Sequence, residues 1–210
     1  MSFLQSLFGK KEEKHQPKRK VELMPLPQTD EEKETFLKRY FDTLVAHGWN
    51  LIPAEVDSSP EIIQNGAEGR LAHLDKDVIR FFSSFKSLFN DGDSVWFNSL
   101  TDFFKNAEKE DTCTWNHFER EDLERVDTDD EKKVIERFWK NHLPVLYSYV
   151  MDESSITIVL TGEDAGKIVL LNEGIYEDAE IIATDFFRFL QLHCYSVELG
   201  TIKSPLAGFI

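Results

Sequence analysis

Apolar residues recur at helical spacing in the first well-patterned stretch of the chain. Phe36, Leu37, Tyr40, Phe41, Leu44 and Val45 share one face of a 3.6-residue period. Thr29 or Asp30 stands where an N-cap belongs, and Glu31, Glu32 and Glu34 suit the positive end of the helix dipole. Gly48 is a natural stop. Ser58, Ser59 and Pro60 predict a second start with Ile62 and Ile63 turned inward, cut short by Gly66 and Gly69. Asp75 or Asp77 opens a third helix. Its Val78, Phe81, Phe82, Phe85, Leu88 and Phe89 make a wide aromatic core face that runs to a turn at Asn90, Asp91 and Gly92, a triplet that favours positive φ. Residues 94–98 read as a short strand, followed by a helical turn over Leu100, Phe103 and Phe104.

Asp129 or Asp130 caps a fourth helix carrying Val134, Ile135, Phe138 and Trp139. Leu143 and Pro144 end it, because a residue before proline is pushed to extended geometry. The period then changes. Residues 145–150, 155–160 and 167–171 are rich in β-branched and aromatic side chains and are separated by short polar turns, one of them at 162–166. They predict an antiparallel meander. A last helix is expected from about Asp178 to Leu192, with Ile181, Ile182, Phe186, Phe187 and Leu190 facing in. The order of elements predicts one α+β domain, an antiparallel sheet edged by helices, with no βαβ repeat. Residues 200–210 either add an edge strand or pack on the surface.

Composition sharpens this picture. With 210 residues, 41% hydrophobic and 12% aromatic, the chain has the material for one sizeable core and is not a disordered protein. Its 39 acids against 24 bases give a net charge of −15, which would repel a phosphate backbone and disfavours a nucleic-acid partner. The imbalance is uneven: residues 1–28 carry +3 and residues 29–210 carry −18. The first 28 residues, with Pro17, Pro25 and Pro27 and little periodicity, are read as a flexible basic arm, and 29–210 as the folded domain. Phe3, Leu4, Leu7 and Phe8 would line one face of a short helix, either docking loosely on the domain or acting as a weak membrane-surface or partner anchor. No apolar run is long enough to span a membrane. The two cysteines, Cys113 and Cys194, form neither a disulfide framework nor a Cys-rich zinc site, so a cytoplasmic protein is expected.

The most acidic block is 106–136, with 12 acids against 5 bases and few apolar residues. It is expected to be largely exposed, with Trp115 and Phe118 pinning it to the body or, if exposed, anchoring a partner. Glu119, Glu121, Asp122, Glu124, Asp127, Asp129 and Asp130 are its candidate partner-binding residues.

Other chemistry is poorly supported. The 162–167 segment resembles a P-loop but is one residue short, lacks Ser or Thr after Lys167, and carries Glu163 and Asp164 where a phosphate would sit. Cys113, His117 and Glu119 match no common metal spacing. No GxSxG elbow occurs, Cys113 lies among acids that dull a thiol, and His193 and Cys194 are adjacent and so point apart. With 39 acids, carboxylate pairs arise by chance and read as a solvated face. No enzymatic activity, cofactor or metal is expected.

Leu74, Asp75, Asp77, Ile79, Phe81 and Phe82, leading to Asn90-Asp91-Gly92 and then Val95-Trp96-Phe97, resemble the SUKH superfamily, the Smi/Knr cell-wall-regulator type. Leu100, Asp102 and Phe103 fit its "hydrophobic-x-acid-Phe" element. Phe138-Trp139 with His142-Leu143-Pro144, then Gly166 to Val169, then Ile182, Phe187, Phe189 and Leu190 are similar to its later segments. The resemblance spans about residues 30–192. Asp75 stands where the family usually has proline, Asp91 where it has a first glycine, and 106–136 is long. The resemblance implies a Smi/Knr-like fold and a non-enzymatic, protein-binding role. Bacterial members are commonly immunity proteins that block nuclease toxins, and a basic toxin domain would suit an acidic face. The alternatives are a regulatory scaffold, as in fungal cell-wall regulators, or a small-molecule-binding protein.

Overall fold

The computed structural model describes residues 21–54, 66–104, 114–150, 153–172, 176, 179–200 and 206–210. Helix α1 (Asp30–Ala46) begins with a capping box. Thr29 Oγ1 accepts from the Glu32 N–H while the Glu32 carboxylate accepts from the backbone of Thr29 and Gln28. The Gln28 and Thr29 backbone donors hold the Glu32 carboxyl below its ordinary range. The helix ends in a Schellman motif: Trp49 N–H reaches Leu44 O, Gly48 N–H reaches Val45 O, and Gly48 takes φ +90°. Trp49 and Leu44, brought together by that turn, are both buried.

Among the described residues seven strands follow, each paired antiparallel with the next in sequence: β1 (Asn50–Pro53), β2 (Phe85–Phe89), β3 (Val95–Phe97), β4 (His142–Ser148), β5 (Ser154–Val159), β6 (Ile168–Asn172) and β7 (Glu180–Ala183). The expected meander of 145–171 is therefore the centre of a larger one. Helix α2 (Lys76–Ser83), capped by Asp75, lies between β1 and β2. Helices α3 (His117–Arg125) and α4 (Asp129–Lys140) lie between β3 and β4, and α5 (Phe186–Leu199) follows β7. The described residues thus form one α+β unit.

Side-chain alternation along the strands splits the core in two. Val95, Phe97, Leu146, Ile156, Ile158, Ile168 and Leu170 face the main core with Tyr40, Phe81, Phe82, Phe186 and Phe189 from α1, α2 and α5. Trp96, Tyr147 and Leu171 face the other way, against Phe118 of α3 and Ile135 and Trp139 of α4. The result is helices, sheet, helices. Ser155 and Thr157 also alternate with the main-core residues of β5, and their buried hydroxyls have no hydrogen-bond partner among the described residues.

Three expectations fail at strands whose register slips. The aromatic face of 78–89 is not a single helix: α2 stops at Ser83, where the Ser83 and Ser84 hydroxyls bond back to the Ile79 and Arg80 carbonyls, and Phe85–Phe89 is a strand. The β1–β2 register slips at Lys86, pairing Pro53 with Phe85 but Ile52 with Ser87. Phe85 and Leu88 therefore share a face three residues apart, which imitates helical spacing. A second slip, at Ile182, falls in β7, a strand that takes up Glu180–Ala183 and leaves Ile181 exposed, and the last helix starts only at Phe186, capped by Asp185, rather than near Asp178. A third, at Val145, falls in β4. Pro144 lies inside that strand instead of ending a helix, tolerated because proline is at home beside a bulge.

Smaller corrections follow. Thr128, not Asp129 or Asp130, caps α4. The Asn90 turn is a β2–β3 hairpin whose positive φ falls on Asp93, not Gly92. The Asn90 side chain accepts from the Ser94 and Val95 N–H groups and fixes it. Near the start, α1 opens at the expected place, yet Met24 is buried in the main core and its carbonyl accepts from Gln191. At the other end, Leu206 and Phe209 are buried and Ala207–Phe209 forms a turn of 3-10 helix, so the tail seals the core. The expected helix near 58–63, the apolar face at 3–8 and Cys113 lie outside the described residues.

Candidate functional site

The acidic segment is presented by two helices joined at 126–128. Sequence periodicity missed α3 because few apolar residues mark it, yet Phe118 is enough to seat it. That ring meets Tyr147 edge-on with centroids 4.6 Å apart, and Trp139 fills the same layer from α4. Polar contacts then lock the pair to the body. Arg70 donates through both guanidinium nitrogens to Glu119, at 3.0 and 2.9 Å, and lies 4.9 Å from the centroid of Trp115. Arg125 bridges Glu153 at 2.7 Å and Glu121 at 3.3 Å. The Glu153 carboxylate holds the guanidinium above its ordinary range, and Arg125 in turn holds Glu153 below its own. Trp139 Nε1 donates to the Tyr176 hydroxyl at 2.9 Å, and that hydroxyl donates to Asp122. Burial lifts both the Asp122 carboxyl and the Tyr176 phenol, so the phenol keeps the proton it donates.

Arg70 is aimed by an unusual backbone. It follows three successive left-handed residues, Ala67 (φ 48°), Glu68 (φ 57°) and Gly69 (φ 84°), within the 3-10 segment Gly66–His73. A left-handed non-glycine residue costs roughly 1–2 kcal/mol. Gly66, just before, has no room for a side chain: an added Cβ would lie 2.5 Å from both Leu71 Cδ1 and Phe104 Cζ.

The candidate residues therefore divide. Trp115 and Phe118 are buried and pin the segment, so neither offers an exposed anchor. Glu119 is committed to Arg70 and Asp122 to Tyr176. Glu121 faces Arg125 and lies 3.5 Å from His117. Glu124, Asp127, Asp129 and Asp130 are exposed around the α3–α4 turn. Asp130 meets Lys133 one turn along its own helix, a pair too exposed to hold it. Among the described residues, the outward acidic face is thus narrower than the run of acids in the sequence. Arg70, Arg125 and Tyr176 escape a reading of the sequence, because the partners that tie them to other elements, Glu119, Glu153 and Asp122, lie 49, 28 and 54 residues away and no local pattern marks such pairs.

The other candidate chemistries have structural homes. Residues 162–166 form the β5–β6 hairpin turn, with Gly162 and Gly166 at positive φ and Lys167 paired to Asp164. His193 and Cys194 do not meet as a dyad. The imidazole is bonded to Tyr40 Oη and Phe209 O, each at 2.7 Å, and burial pushes the Cys194 thiol up to about 11. Among the described residues, no cluster of three or more His, Cys, Asp or Glu side chains is placed to hold a metal, and no helix is long and apolar enough to cross a membrane. No family model and no curated protein matches the chain.

Proposed function

We propose that the chain is a protein-binding module of the SUKH (Smi/Knr-like) type that presents the α3–α4 turn to a basic partner, in the immunity reading a nuclease-type toxin domain. One observation carries this proposal: Glu124, Asp127, Asp129 and Asp130 stand in solvent on a turn whose two helices are seated by a buried aromatic layer and by long-range ion pairs. Rigid carriage lowers the ordering cost of binding, and a cluster of like charge speeds encounter with an oppositely charged surface. Nuclease clefts are basic because they hold phosphates, so an anionic turn competes for the same groups.

The reading is tested by using the full chain as bait in a lysate of its source organism and assaying what is captured. The expected catch is a basic protein whose nuclease activity falls when the chain is added in stoichiometric amount. A catch of acidic or neutral proteins, or a nuclease left fully active in the complex, contradicts it.

A further inference from the structure

The concavity beside the C-terminal turn of α4 has a character opposite to the rest of the molecule. It measures about 740 Å³, within the range of small-molecule sites, and among the described residues no carboxylate lines it. Arg137 and Lys140 enter it from α4 and His73 from the Gly66–His73 segment. Arg137 and Lys140 form no ion pair or side-chain hydrogen bond among the described residues. In a chain with 39 acids to 24 bases, two cations without an ion pair, beside a hollow that no described carboxylate lines, stand out against the background. The neighbouring hollow of about 620 Å³, which shares His73, shows the contrast: it is lined by Asp75, Asp77 and Asp185, with Lys33 already paired to Asp77.

Beside Val134, Asn141 and Thr161, the rest of the wall carries three rings that are held in place. Phe138 stacks on His142 with centroids 3.9 Å apart and planes 4° from parallel, and Tyr176 lies 4.8 Å from Phe138. His142 Nδ1 donates to Phe138 O at 2.7 Å, which fixes its ring. Tyr176 is fixed by the hydrogen bonds from Trp139 and to Asp122. Planar rings held rigidly beside free cations suit a ligand that has a flat ring at one end and negative charge at the other, through stacking and charge-assisted hydrogen bonds.

We infer that this hollow is a binding site for a small aromatic anion of mononucleotide size, held by Arg137 and Lys140 at its charged group and by the Phe138–His142–Tyr176 wall at its ring. The site is separate from the α3–α4 turn and does not depend on the protein-binding reading. A flat ring with a phosphate and one with a carboxylate present the same chemistry here, and the test separates them.

The test is a heteronuclear NMR titration of the full chain with AMP, indole-3-acetate, adenosine and inorganic phosphate, each to about 5 mM. AMP or indole-3-acetate is expected to shift the signals of Phe138, His142 and Tyr176 saturably. Adenosine and inorganic phosphate, each lacking one half of the ligand, are expected to bind at least about tenfold more weakly. The pair Arg137→Glu with Lys140→Glu, both at exposed positions, is expected to weaken the better ligand by about tenfold or more while the remaining amide spectrum stays native. Lys86→Glu paired with Arg39→Glu, an equal charge change at exposed positions on β2 and α1, is expected to leave it unchanged. The inference is overturned if neither aromatic anion shifts these residues, if adenosine binds as well as AMP and indole-3-acetate does not bind, or if the double reversal leaves affinity intact in a natively folded protein.

Discussion

His193 shows how one buried side chain can tie distant parts of the chain together. Its ring joins Tyr40 of α1 to the Phe209 carbonyl near the C-terminus, and it is surrounded by Trp49, Phe97 and Phe189. Two acceptor–donor roles are filled at once: Nε2–H donates to the carbonyl, and Nδ1 accepts from the phenol. Desolvation drives its pKa down to about 4, against about 6.5 for a free imidazole. The unfolded chain therefore takes up a proton that the folded chain refuses between those values. The resulting stability is fully present above about pH 6.5 and is lost as pH falls towards 4, a loss of about 3 kcal/mol. Imidazole NMR titration is expected to find His193 neutral at pH 5; a midpoint near 6.5 contradicts the buried arrangement. A second prediction belongs to Gly66. Adding a methyl group there forces Leu71 or Phe104 to move, so Gly66→Ala is expected to lower stability by about 1–3 kcal/mol in chemical denaturation. Neither residue's role was legible in the sequence. His193 reads as a helix-face residue until its partners, 153 and 16 residues away, are in place, and Gly66 reads as a breaker until its neighbours pack against it.

Elements were legible where a single period ran unbroken. Helix α1 announced itself through its apolar face, its acidic first turn and Gly48, and β5 and β6 through β-branched runs. The strands that went astray each carry a slipped register. At Lys86 the slip put Phe85 and Leu88 on one face, the signature of a helix, and at Val145 it let Pro144 sit in a strand interior. Helix α3 was hidden for another reason. It is held by one buried ring and by long-range charge pairs more than by an apolar stripe, and such pairs leave no periodic trace. The mostly buried Arg70–Glu119 pair is therefore expected to matter more than a surface bridge. Arg70→Ala, which leaves Glu119 without its partner, is expected to cost roughly 2–4 kcal/mol, and hydrogen exchange in α3 is expected to quicken ahead of exchange in β4 and β5. Uniform protection across α3 and the sheet in that variant would show that the pair does not pin the helix.

At the scale of the whole molecule, the sheet separates two packed layers of different character. The α1–α2–α5 side holds the large aromatic core, and the thinner α3–α4 side carries surface charge on a fixed base. The charge of the chain foretold which segment would be anionic, but not which carboxylates would be spent internally. Glu119 and Asp122 go inward, and Glu124, Asp127 and Asp129 remain outward. The proposed recognition by the turn is expected to weaken with salt, since exposed charges are screened beyond about 8 Å at physiological ionic strength. Substituting Glu119 should disturb stability, whereas substituting Glu124, Asp127 and Asp129 should spare the fold and remove recognition. The most direct measurement is the affinity of the captured partner for the native chain and for the triple variant Glu124→Lys, Asp127→Lys, Asp129→Lys, each at about 50 and 500 mM salt. The expected result is at least a tenfold loss with salt for the native chain and a comparable loss on charge reversal at low salt, with thermal unfolding little changed. Equal affinity of the native and reversed chains at both salt concentrations would contradict the account.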